Sequence, residues 1–113
     1  MDMSVEDLAG GISKIVLRGR FDTTGAVVVE LPFNKIVTEK QKIIVDLSAV
    51  TFLASYGIRV LLVGAKIAKA KNGKLVLLCP ENNVAKVLKT AGTESLIPLF
   101  QSDDAAAAAL ASS

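Results

Sequence analysis

The hydrophobic positions near the start of the chain alternate with polar ones. The segments Met3–Leu8 and Ile12–Gly19 flank the glycine pair Gly10-Gly11. Alternation of this kind is typical of a half-buried strand, and two such segments across a glycine pair predict an antiparallel β-hairpin.

Two later segments are compact apolar blocks rather than alternating ones. Lys42–Leu47 and Lys74–Cys79 are almost continuously hydrophobic, which favours strands that are covered on both faces. We expect Pro80 to close the second block. Leu96–Phe100 predicts one more short strand, and Pro98 within it favours a place at the edge of the sheet.

The clearest helical spacing lies between these two blocks. We expect a loop over residues 48–54, then a helix from Ser55 to about Lys71 that ends at Asn72-Gly73. Its predicted core-facing stripe consists of Ile58, Leu61, Leu62, Ala65 and Ala68. Val60, Val63 and Ile67 lie off this stripe, where either a neighbouring helix covers them or they form an apolar docking strip.

The segment from Gly25 to Lys40 gives mixed signals. Its three consecutive valines, at 27–29, favour a strand locally, and Pro32 removes a helical hydrogen bond. The wider spacing of apolar residues is nevertheless helical. We therefore predict a helix that is kinked or interrupted at Pro32, with Asp22, Thr23 or Thr24 as its cap.

Two further helices are expected towards the C-terminus. The first is capped by Asn82 or Asn83 and ends at Gly92, and the second is capped by Ser102 or Asp103 and runs through Leu110. The apolar face predicted for the first consists of Val84, Val87, Leu88 and Ala91.

Strands that alternate with helices imply right-handed crossovers and parallel pairing. The sequence thus predicts an α/β fold with a mixed sheet of about five strands and about four helices, in which the N-terminal hairpin is antiparallel and the later strands are parallel. We expect residues 1–113 to form one domain.

Composition narrows the functional classes. The chain of 113 residues contains no histidine, which excludes Ser-His-Asp triads, histidine zinc sites and histidine phosphorelay. It has no glycine-rich phosphate loop, so we expect neither an enzyme nor a bound cofactor or metal. The net charge of +2 is small and does not indicate a clustered basic surface for binding nucleic acid.

The expected location is the cytoplasm. The N-terminus lacks the features of a signal peptide, and no apolar run approaches the ~20 residues of a membrane span. The lone Cys79 fits a reducing compartment and is expected to be inert core.

The stretch from Asp46 to Leu62, DLSAVTFLASYGIRVLL, is the most distinctive in the chain. It places a serine where a buried strand passes through a short loop into a helix. The first turn of a helix stabilises negative charge, so a phosphoryl group on Ser55 would be tolerated there. Ser55 also has a simpler interpretation as the helix N-cap.

This stretch resembles the STAS family of anti-sigma factor antagonists, in which a strand ending Asp-Leu-Ser leads into Asp-Ser-Ser-Gly-Leu at a helix start. The matching residues are Asp46, Leu47, Ser48, Val50, Phe52, Ser55, Gly57, Leu61 and Leu62. Gly19-Arg20-Phe21-Asp22 is similar to the family's Gly-x-Leu-Asp, and Gly73–Leu77 agrees in order and spacing.

The resemblance implies a protein that binds an anti-sigma factor, which is also a serine kinase of the histidine-kinase-like ATPase fold, and so frees a sigma factor. By position, Ser55 is the implied phosphoacceptor and Asp22 lies near it. The candidate partner-binding residues are Asp22, Thr23, Ala54, Tyr56, Gly57 and Arg59. Four of them have a structural alternative: Asp22 as a cap, Tyr56 as a cover for the core, Gly57 as a site of close packing, and Arg59 as a solvated charge.

Two departures from the family pattern bear on the implied phosphorylation of Ser55. Ala54 replaces the aspartate before the acceptor, and Tyr56 replaces the second serine. Both favour an alternative in which the chain is a binding module without phosphorylation, either a scaffold subunit of a sensing complex or an accessory subunit of a membrane transporter.

Overall fold

The computed structural model describes residues 1–79 and 82–111, in which five strands alternate with four α-helices. The strands are β1 (Asp2–Leu8), β2 (Ile12–Phe21), β3 (Lys42–Leu53), β4 (Lys74–Leu78) and β5 (Leu99–Phe100). The α-helices are α1 (Thr23–Glu39), α2 (Ser55–Ala70), α3 (Asn83–Thr90) and α4 (Asp103–Ala111). Short 3₁₀ helices cover Ala9–Gly11 and Thr93–Ser95.

The five strands form one mixed sheet in the order β1-β2-β3-β4-β5. β1 pairs antiparallel with β2, and each later pair is parallel. Gly10 and Gly11 make the hairpin turn with φ of 79° and 74°, a region that side chains with a Cβ rarely adopt. The predicted α/β fold is confirmed.

The two faces of the sheet are covered differently. Inward residues of β3 such as Ile43 and Val45 belong to a large core cluster with α1, α2 and α3. Ile44 points the other way and packs with Ala106 and Leu110 of α4. This alternation along one strand explains why the block is almost continuously apolar.

β3 is longer than the sequence predicts. The expected loop over residues 48–54 is wrong, because the strand continues to Leu53 and pairs with the end of β2. The pairing contains register shifts between Val16 and Arg18 and between Gly19 and Arg20, and Val50 and Leu53 are buried along it. The polar Ser48 is exposed, so the pattern looked like a loop although the backbone stays in the sheet.

α1 is not interrupted at Pro32. The proline is exposed, so the carbonyl that loses its amide partner lies on the solvent side of the helix. A buried stripe holds the helix on the sheet on both sides of the proline, and it consists of Gly25, Ala26, Val29, Phe33 and Val37.

The buried stripe of α2 is rotated from the predicted one. The fully buried residues are Gly57, Val60, Leu61, Gly64 and Ala68, whereas Ile58, Leu62 and Ala65 are half-buried. The two glycines allow a close approach, since a Cβ on Gly64 would lie 2.5 Å from Cε2 of Phe33. The stripe therefore turns towards α1, and Val60 is buried in the core cluster that includes α1 residues.

The C-terminal third follows the prediction in outline. Asn82 caps α3 through its side chain, and the Ser102 hydroxyl accepts from the Ala105 amide at the start of α4. β5 is shorter than expected but lies at the sheet edge, as predicted. Val87 is exposed rather than part of the core. Pro80, predicted to close β4, lies outside the described residues.

Candidate functional site

The candidate site lies where β2 and β3 end. The two strands are parallel and in register at Phe21 and Leu53, so α1 and α2 start side by side at the same edge of the sheet. The Ala54 amide donates to the Phe21 carbonyl at 3.1 Å, and this hydrogen bond links the ends of β2 and β3. Asp22 and Ser55 are thereby brought to one edge, as expected.

Asp22 is the N-cap of α1. One carboxylate oxygen accepts from the Gly25 amide at 2.9 Å and the other lies 3.3 Å from Arg20 Nε. The amide hydrogen bond, helped by Arg20, lowers the pKa of Asp22 below its ordinary 3.8. Asp22 thus presents a fixed negative charge beside the start of α2.

Arg20 and Phe52 form a pair that the sequence did not indicate. The guanidinium carbon lies 4.4 Å from the centre of the Phe52 ring, a cation–π contact. The ring is 42% exposed. The two residues are 32 positions apart and meet only because β3 extends beyond the predicted strand end, so no local signal could have found them.

A shallow hollow adjoins this aromatic ring. It has a volume of about 140 Å³ and lies between the end of β3 and α3. Its lining residues are Thr51, Phe52, Leu53, Asn83, Val84 and Val87. The edge therefore offers both charged groups and apolar surface to a binding partner.

Ala54, not Ser55, is the N-cap of α2. Its backbone is extended, with φ of −109° and ψ of 172°, and its carbonyl accepts from the Ile58 amide at 3.1 Å. The predicted capping role of Ser55 is therefore wrong, since Ser55 is the first helical residue and is exposed. The methyl group of Ala54 leaves this helix without a side-chain cap.

Tyr56 joins α2 to α1. Its ring packs partly buried against the core, and its hydroxyl donates to the Glu30 carboxylate at 2.8 Å. This hydrogen bond to a negatively charged group raises the pKa of Tyr56 above its ordinary 10.0. The tyrosine is thus fixed in place rather than free to swing outwards.

The remaining candidates differ in exposure. Thr23 and Arg59 are exposed, and Arg59 lies one helical turn beyond Ser55 on the same side of α2. Gly57 is buried, and a Cβ there would lie 2.8 Å from the Phe21 carbonyl oxygen. Gly57 lets the start of α2 approach the end of β2, which keeps the edge compact.

Within residues 1–79 and 82–111, no cluster of three or more cysteine, aspartate or glutamate side chains is arranged to hold a metal ion.

None of the helices described above is long and apolar enough to cross a membrane.

Solved structures similar to this chain share its fold. An anti-sigma factor antagonist from Mycobacterium paratuberculosis is 24% identical, covers 96% of this chain and 92% of its own, and superposes with a TM-score of 0.87. The Bacillus cell fate determinant SpoIIAA in its phosphorylated form is 19% identical, with coverage of 92% and 96% and a TM-score of 0.68.

A similar sequence is BtrV of Bordetella bronchiseptica, which is named as an anti-sigma factor antagonist. It is 34% identical over 70 residues, or 62% of this chain. The match spans 60% of the length of BtrV.

The family comparison covers nearly the whole chain. Residues 7–106 match the STAS domain model, a range that runs from β1 into α4 and includes the edge with Asp22 and Ser55. By its sequence and by its five-stranded mixed sheet with four helices, this chain belongs to the STAS domain family.

Proposed function

We propose that this protein is a cytoplasmic anti-sigma factor antagonist of one STAS domain, which acts by protein binding rather than catalysis. Its partner is an anti-sigma factor that is also a serine kinase of the histidine-kinase-like ATPase fold. Binding of that partner releases a sigma factor. The name of BtrV and the description of the Mycobacterium structure support this proposal.

One structural observation supports particular residues as the site of this proposed function. Ser55 is exposed at the first position of α2, and the fixed charge of Asp22 lies at the adjacent helix start. The partner surface comprises this edge, with Thr23, Ala54, Tyr56 and Arg59 around the serine. The buried Gly57 contributes indirectly, by letting the start of α2 approach the end of β2. Arg20 and Phe52 extend it.

Phosphorylation of Ser55 is the proposed switch. A phosphate adds roughly −1.5 to −2 charges, and the helix dipole stabilises them at the first turn. Arg59, four residues later on the same helix face, provides a local cation. The fold therefore tolerates the modification, while a partner surface that fits a neutral serine and Asp22 is repelled. SpoIIAA, which shares this fold, has been solved in a phosphorylated form.

The test combines two measurements. Intact-protein mass spectrometry of the chain from its own cells should find one added phosphate, located on Ser55. In a binding assay with the kinase-type anti-sigma factor of the same organism, Ser55→Asp should weaken the complex by at least ~10-fold, about 1.4 kcal/mol. Ser95→Asp, at an exposed serine on the 3₁₀ helix before β5, is the control and should bind as wild type does.

Loss of binding in both variants would point to non-specific charge repulsion and contradict a switch at Ser55. Failure of wild type to bind any kinase-type anti-sigma factor would overturn the proposed function.

The alternative is a STAS binding module without phosphorylation, in a sensing scaffold or beside a transporter. Two observations favour it: Ala54 supplies no acid next to Ser55, and the Tyr56 hydroxyl is held by Glu30. An unmodified Ser55 in cells, with one partner held equally by wild type and Ser55→Asp, would establish this alternative.

A further inference from the structure

A second surface lies at the opposite end of α2 from Ser55. Two adjoining hollows, of about 200 and 150 Å³, share Ala65, Lys69 and Leu96 in their walls. Together they form one groove between α2 and the segment that leads into β5, here called the α2–β5 groove. The other residues that line it are Leu62, Lys66, Gly73, Lys74, Leu75 and Pro98.

The walls of the α2–β5 groove are apolar. Leu62 and Ala65 are half-buried against the core, and Leu75 lies beneath them as part of it. Leu96 stands on the opposite wall and is 69% exposed. A leucine so exposed beside other apolar side chains leaves a continuous hydrophobic surface open to solvent.

The rim of the groove is positively charged. Lys66, Lys69 and Lys74 line it, and among the described residues none of the three has a carboxylate within ion-pair distance. These are three of the 13 lysine and arginine residues of the chain, and they give the groove a local positive charge.

We propose that the α2–β5 groove binds an acidic segment of a partner protein, which inserts a large apolar side chain between α2 and Leu96 and places carboxylates against the lysines. Lys69 is 14 residues beyond Ser55, or ~21 Å along the helix at 1.5 Å per residue. This contact is separate from the candidate site and does not depend on the state of Ser55.

The shape of the groove favours a peptide over other anionic ligands. Small-molecule sites generally enclose most of the ligand, whereas both hollows here are open to solvent. A flat membrane surface does not enter a concave groove. A protruding side chain with acidic neighbours fits both the hollow and its charged rim.

The test starts from the full-length chain and a displayed library of random short peptides. Peptides enriched on wild type should combine acidic residues with a leucine- or phenylalanine-sized anchor. Fluorescence anisotropy of a labelled enriched peptide should show saturable binding that weakens with added salt.

Substitutions in the groove should then weaken binding of that peptide. Lys66→Glu with Lys69→Glu, and separately Leu96→Ser, should each reduce affinity by at least ~10-fold. All three positions are exposed, and circular dichroism should show an unchanged fold. The matched controls are Lys35→Glu and Leu31→Ser on α1, where Leu31 is 79% exposed, and both should leave affinity unchanged.

Three results would overturn the proposal. One is the absence of enriched acidic peptides, and another is binding that the groove variants do not alter. The third is binding of phosphatidylglycerol vesicles that is lost in Lys66→Glu with Lys69→Glu, which would assign the surface to a membrane. Ser55→Asp should retain peptide affinity, so failure here is distinguishable from failure of the proposed function.

Discussion

At the scale of single residues, Ala54 has a larger consequence than its size suggests. It occupies the N-cap of α2, where a side-chain oxygen ordinarily accepts from a first-turn amide, and it has none to offer. The family pattern places an aspartate here. The amides at the start of α2 therefore lack a side-chain acceptor in this chain.

Ala54→Asp should raise the free energy of unfolding by about 1 kcal/mol, because the carboxylate caps α2 and interacts favourably with its dipole. Urea denaturation of the two proteins measures the difference. Ala70→Asp at the other end of α2 is the control and should give no gain, since a negative charge opposes the dipole there. Equal gains from both variants would contradict the capping explanation.

The contacts between individual residues at the candidate site could be predicted from the sequence only in part. Ser55 and Asp22 were found through their resemblance to a family motif. Arg20 and Phe52 also lie within the motif segments, but their contact with each other and that of Tyr56 with Glu30 were not predicted. Each of these contacts joins positions that are distant along the chain; Tyr56 and Glu30 are 26 residues apart. Such pairs follow from sheet register and helix packing, which hydrophobic periodicity does not specify.

At the scale of elements, the contact between α1 and α2 depends on a glycine. Gly64 faces the ring of Phe33, which is fully buried. An added Cβ would lie 2.5 Å from one ring carbon and 3.1 Å from another. This close approach is also what rotates the buried stripe of α2 from its predicted position.

Gly64→Ala should lower the free energy of unfolding by roughly 1–3 kcal/mol through overpacking, despite the better helix propensity of alanine. Urea denaturation of Gly64→Ala, Phe33→Leu and the double variant forms a double-mutant cycle. The double variant should be more stable than the sum of the single effects predicts, because leucine makes room for the methyl group. Simple additivity would show that the ring is not the obstacle.

The helices and strands were largely predictable from the sequence. The errors at β3 and α1 share one cause, which is tertiary contact that overrides the local pattern. The apolar block of β3 was evident, but its continuation through Ser48 to Leu53 was not. Pairing with β2 across a register shift holds that polar stretch in the sheet. Pro32 similarly suggested an interruption, yet tertiary packing of Phe33 and Val37 outweighs the loss of one solvent-side hydrogen bond.

At the scale of the whole molecule, α4 is attached to the sheet face opposite the other helices. Ala106 and Leu110 are its buried contacts. Lys14 of β2 adds a polar contact, with its ammonium 2.8 Å from Asp103 of α4 and 3.4 Å from Asp46 of β3. The lysine thus connects the C-terminal helix to two neighbouring strands.

Lys14→Met should lower the free energy of unfolding by about 1 kcal/mol at neutral pH, at the upper end for partly exposed ion pairs. The hydrogen bond to Asp103, helped by the charge of Asp46, raises the pKa of Lys14 above its ordinary 10.5 despite partial burial. Its contribution is therefore present below pH 10.5 and is lost as the pH rises through the folded-state pKa.

Urea denaturation across this pH range should show wild type and Lys14→Met converging at alkaline pH. Lys35→Met, at an exposed lysine of α1, should match wild type throughout. A difference between wild type and Lys14→Met that stays constant with pH would mean that altered packing of the side chain, not its charge, is responsible.

The register of β2 with β3 also has a kinetic consequence. The edge that presents Asp22 and Ser55 exists only once two strands separated by the whole of α1 have paired. Contacts so distant in sequence require a long loop to close first, unlike those of a local hairpin or an isolated helix. A partner that recognises both residues together therefore distinguishes the finished fold from nascent or partly folded chains.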